Sequence, residues 1–276
     1  MKRKVTMVWM VVLLGCWGAL PLARAMTPNP EFAAGVRTEA ETLTKQAERV
    51  QARAEKMTGD AKAAGTEWAE AIKAQAAATV KVSAAWAAGD EAALKAARTE
   101  VDHARDAVNR ASERFNVRQT QSNLAPGEKQ LESLRGITPA ANKPLLEAVV
   151  AARKKALSAG DLFVAAVTPE ASWASVEAAR DVYQQALDEL ELATRALTLA
   201  NGRAGLAARP GASDAAIAAK IADLAKTDDA MLAATKAARE QMIQARSLER
   251  KRRAAFKELE TALSKPAPVP VPAPAP

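Results

Sequence analysis

Between residues 91 and 120 the chain carries a seven-residue repeat that only a helix can satisfy. Leu94, Val101, Val108 and Phe115 occupy one heptad position, and Ala97, Ala104 and Ala111 the other. Apolar residues spaced alternately three and four apart fall on one stripe of an α-helix and on opposite faces of a strand. A later segment repeats the pattern with Val176, Tyr183, Leu190 and Leu197 against Ala179, Ala186, Ala193 and Ala200. A seam that is large at one position and alanine at the other lets two helix axes approach closely. Each alanine in place of leucine forgoes about 2 kcal/mol of burial at ~0.8 kcal/mol per methylene. Such a seam therefore needs many layers. Alanine makes up about a quarter of the chain and aromatic residues only 4%, a composition that favours helix nearly everywhere. The fold expected is all-α: an elongated antiparallel helical bundle or alanine-rich coiled coil.

Punctuation along the chain sets the expected elements. A seam through Val36, Ala40, Leu43, Ala47, Val50, Ala54, Met57, Ala61, Ala64 and Trp68 keeps heptad phase across Gly59. It predicts one helix over 31–88, with 58–60 as its weakest point, because a mid-helix glycine costs only about 1 kcal/mol. Gly89 ends that helix and Asp90 caps the next. Segment 26–122 is thus a long helical hairpin. Its first arm, at ~1.5 Å per residue, would reach almost 90 Å. Segment 123–143, rich in Pro and Gly, is an irregular linker with a short helix near 128–135. Segment 144–264 is a second helical part, with helices over 144–159, from Pro169 to an Asn201-Gly202 stop, and from a Ser213 cap over 214–263. Ile217, Ile221, Leu224, Met231, Met242, Phe256, Leu259 and Leu263 mark the expected buried side of the last helix. The tail 265–276 alternates Pro with Ala and Val and predicts extended polyproline.

The leader gives an address. Met1-Lys-Arg-Lys is a basic n-region, 5–14 is apolar, and Ala23-Arg24-Ala25 has small residues where a signal peptidase reads. Cleavage after Ala25 would export the chain to the periplasm or beyond. The alternative is lipidation at Cys16, the only cysteine, within Leu13-Leu14-Gly15-Cys16. Of 39 Lys+Arg against 32 Asp+Glu, four basic residues would leave with the leader, so a net +7 falls to +3. Basicity then argues little for nucleic acid, and no nucleic-acid partner is expected.

Chemistry is sparse. His103 is the only histidine, two places beyond a seam residue and so on the solvated flank. Without cysteine, one histidine makes no transition-metal site of the usual nitrogen and sulfur type. No phosphate-cradling loop or nucleophile elbow occurs. No enzyme activity, catalytic residue, cofactor or metal is expected. Trp68, Trp86 and Trp173 suit core or bundle-end positions. The one local feature above background is a basic stretch in the last helix: Arg246, Arg250, Lys251, Arg252, Arg253 and Lys257. Cations there suit the helix dipole, and they also suit an anionic envelope surface such as lipid headgroups or lipopolysaccharide. The expectation is an exported, non-catalytic coiled-coil scaffold or spacer with unknown protein partners, homo-oligomerisation being open. The alternative is a peripheral binder of the anionic envelope surface through the 246–257 stretch.

Overall fold

The computed structural model describes residues 27–263, with the side chains of Lys257 and residues 261–263 outside that description. The leader, Cys16 and the polyproline tail likewise lie outside the described residues. What is described is helical, with no strand among those residues: α1 (Pro30–Ala54), α2 (Gly59–Ala88), α3 (Glu91–Ser122), α4 (Glu128–Ile137), α5 (Lys143–Ala166), α6 (Trp173–Ala207) and α7 (Ala215–Leu263), with a single 3₁₀ turn at Ala140–Asn142.

The first expected helix is two. Gly59 adopts φ +55°, a left-handed conformation that a Cβ penalises and glycine does not. Residues 55–58 leave the helix there, and the chain doubles back. The amide of Asn29 donates to the carbonyl of Trp86 at 3.1 Å, and the Ser83 hydroxyl to the carbonyl of Ala33 at 2.6 Å. The start of α1 thus lies beside the end of α2. The seam register nevertheless holds, since all ten of its residues are buried or half-buried. Heptad phase specified which side is covered and could not specify direction.

By contacts the chain divides into two units, one of 27–50 with Ala69–Val108 and one of Gln51–Trp68 with 109–263. The first has an alanine core, with Ala33, Ala40, Ala47, Ala69, Ala76, Ala85 and Ala97 buried around Ile72 and Leu94. Phe32 and Trp86 close it, their ring centroids 4.8 Å apart. Asp90 caps α3 as expected, accepting from the amide of Ala93 at 2.9 Å.

The second unit is built on the antiparallel pair α5 and α6. Asn142 bonds Asn201, Lys155 pairs with Glu189, and the Phe163 and Tyr183 rings lie 6.2 Å apart. Its core joins Leu146, Val149, Ala156, Phe163 and Val167 to Val176, Tyr183, Ala186, Leu190 and Leu197, so the second heptad copy faces inward. Four boundaries differ from expectation. Helix α5 runs through Gly160, where the absent Cβ leaves room for the Gln121 side chain of α3 and, next nearest at 3.0 Å, Tyr183 Cε2 of α6. Helix α6 starts at Trp173, where the Ser172 hydroxyl accepts from the amide of Ser175, and it continues past Gly202 to Ala207. Helix α7 is capped by Asp214 and not Ser213, the carboxylate accepting from the amides of Ala216 and Ile217 at 2.9 and 3.2 Å.

Two arginines of α3 finish α5. Arg114 donates to the carbonyl of Val167 and Arg110 to that of Thr168, each at 2.6 Å. The C-cap carbonyl, here that of Val167, has no partner within the helix, and the Arg114 guanidinium supplies both a donor and a charge favourable to the dipole, while the Thr168 carbonyl, just past the cap, also accepts from the amide of Ala171. Arg110 also lies 4.8 Å from the centre of the Trp173 ring. Trp68 packs against the buried Phe115, the ring centroids 5.2 Å apart and the planes tilted by 34°.

Candidate functional site

Helix α7 is 49 residues long, about 73 Å at 1.5 Å per residue, and it lies antiparallel along α6. The seam between them is held by charge. Arg203 meets Asp228 at 2.9 Å, Arg239 meets Glu191 at 2.7 Å and donates to the carbonyl of Asp188, and Arg250 meets Asp181. Arg253 reaches Glu177 at 3.9 Å and Glu249 of its own helix at 2.5 Å. The Arg253 guanidinium holds the Glu249 carboxyl below the usual carboxylate range by that hydrogen bond.

This geometry splits the basic stretch. Arg250 is turned onto Asp181 and Arg253 towards Glu177, so those two tie α7 to α6. Arg246, Lys251 and Arg252 are exposed. The side chain of Lys257 is outside the described ones.

The apolar side chains of α7 depart from expectation. Ile217, Leu224, Met242, Phe256 and Leu259 were expected on the buried side and are 40–59% exposed, and Leu248, off the expected stripe, is 66% exposed. Ile221 and Met231 are half-buried. Helical drift accounts for the pattern. A straight helix turns about 20° per heptad away from a strict seven-residue repeat. The row Ile221, Asp228, Thr235, Met242, Glu249, Phe256 therefore begins against α6, with Ile221 half-buried and Asp228 7% exposed, and ends in solvent.

Elsewhere the described residues offer little chemistry. His103 is exposed. No group of three or more His, Cys, Asp or Glu is placed to hold a metal ion. An open hollow of about 550 Å³ between α4 and α6 is lined by Ala125, Pro126, Lys129, Gln130, Ser133, Leu134 and Thr194, without a pair of groups that could move a proton between them. No described helix is long and apolar enough to cross a membrane. No protein family, curated protein or solved structure matches the chain.

Proposed function

We propose that this chain is an exported, non-catalytic helical scaffold of the cell envelope that presents α7 as a docking helix for protein partners. The observation that carries this is the row of exposed large apolar side chains along α7. Isolated exposed leucines are ordinary, but six large apolar side chains left exposed along one helix are a surface by which helices recognise other helices. The leader pattern supports export. The spacer role expected from a 90 Å first helix loses its support, because that helix breaks at Gly59.

A photo-cross-linking residue at position 248, in the native host, tests this against the same residue at 151, an exposed position on α5. Discrete protein adducts from 248 alone, in the exported fraction, are the expected result. Adducts from neither site, or retention in the cytosol, would overturn it.

A second reading is supported by the exposure of Arg246, Lys251 and Arg252. These cations can face an anionic surface while Arg250 and Arg253 hold the helix in place. Co-sedimentation with anionic vesicles that is lost between low and high salt, and lost on charge reversal at 251 and 252, is the behaviour that reading requires.

A further inference from the structure

The pattern of exposed residues on α7 fits one partner better than others. We propose that α7 pairs antiparallel with α7 of a second copy of this chain, about a two-fold axis passing at Glu240. The inference rests on the role of α7 as a docking helix and names what docks there.

The exposed strip consists of Ile217, Leu224, Ala238 and Ala245, continued by Met242 and Phe256 as the second row turns away from α6. Two copies of a helix running in opposite directions set residues equidistant from the axis at the same level. With the axis at Glu240, Leu224 stands level with the partner's Phe256, and Ala238 level with the partner's Met242. Three of the six large exposed apolar residues of α7, Leu224, Met242 and Phe256, are matched on the strip, and small residues sit near the axis where two helices come closest.

Charge selects the antiparallel direction. Lys220 and Glu260, both exposed and on the strip, are level with each other's copies. Asp223, exposed, lies at the level of the partner's Lys257. Glu240 on the axis is the one residue of α7 set level with a like charge, and Glu249, level with Met231, keeps its bond to Arg253 on its own helix. A parallel pair would set every charge of the 246–257 stretch against itself, which like-charge repulsion opposes.

Cysteine cross-linking in the full chain, with Cys16 replaced by Ser, tests the pairing and its register together. Gln241→Cys, next to the axis, should form a covalent dimer under mild oxidation. Leu224→Cys alone should not, yet it should link to Phe256→Cys when the two variants are mixed. Lys220→Glu should weaken the dimer about tenfold and Glu260→Lys added to it should restore the affinity, a rescue that a folding defect would not show. Self-linking by Leu224→Cys as readily as by Gln241→Cys would overturn the antiparallel register. A monomer by sedimentation equilibrium of the unsubstituted chain up to about 100 µM would overturn the second copy as partner. If such a monomer still gives protein adducts from position 248 in the host, the docking role of α7 stands and only its occupant was wrong. If it co-sediments with anionic vesicles instead, a lipid surface is the occupant.

Discussion

At Gly65 two opposing effects meet, and their sizes decide the outcome. Alanine is the better helix former by about 1 kcal/mol. A Cβ at Gly65, however, would lie 2.7 Å from the Ala54 Cβ and 2.9 Å from Phe115 Cε2. Neither neighbour can yield cheaply, since one is fixed to backbone and the other is fully buried. Gly65→Ala should therefore lower stability by about 1–3 kcal/mol net through overpacking, read as a drop in denaturant midpoint at unchanged slope. A raised midpoint would mean that α1 and α2 do not approach there. Asp161 supplies a pH-dependent test. Its carboxyl sits below the ordinary carboxylate range because Arg118 bonds it, Gln121 adding to the effect while desolvation works against it. A depressed folded value contributes stability above the unfolded value of 3.8, which is lost as pH falls through the folded value. The pair is largely solvated, so the contribution is at most about 1 kcal/mol. Asp161→Asn should be less stable than the parent at pH 6 and indistinguishable from it near pH 2, by thermal melts across that range.

At the scale of elements, what the sequence disclosed follows from what periodicity can encode. Burial sides of α1, α2, α3 and α6 were legible, because a heptad row states which face needs covering. The break at Gly59 was not, since phase is preserved whether the chain runs straight or turns back. Gly160 and Gly202 read as stops and proved to be interior helix positions, the first beside a Gln121 side chain of α3 that leaves no room for a Cβ. In α7 the apolar row was legible and its burial was not, because the opposing surface of α6 offers carboxylates and selects the polar side of α7. The arginine caps of α5 were also hidden, for their partners lie more than fifty residues away. They are open to test. Arg114→Ala would leave the Val167 carbonyl without its donor, and should cost about 1–3 kcal/mol, with faster amide exchange in the last turn of α5. A change below about 0.3 kcal/mol would show that solvent satisfies that carbonyl equally well. Gly59→Ala should cost about 1 kcal/mol, and Gly59→Asn less, since asparagine enters the left-handed region more readily. Equal losses for the two would place the strain elsewhere.

For the molecule as a whole, the composition that makes helix so easy also leaves α7 with more apolar surface than α6 covers. Alanine seams stabilise by number of layers, and the alanine-rich first unit and the α5–α6 pair of the second both follow that rule. Helix α7 instead is tied along one side by ion pairs such as Arg203 with the buried Asp228, and its other side presents Leu224, Met242, Leu248, Phe256 and Leu259 to solvent. A surface of that kind is completed by another molecule, and its charge pattern points to a second copy. The candidate site was only half legible for the same reason. The cations were visible in the sequence, but not their division into Arg250 and Arg253, which hold the helix, and Arg246, Lys251 and Arg252, which face outward. Amide hydrogen exchange along α7, followed as a function of protein concentration, tests the central claim most directly. Protection in the part of α7 around 242–259 should rise with concentration while the α5–α6 core stays constant. Exchange along α7 that is rapid and independent of concentration, with no added protection in the exported fraction of the host, would contradict the account.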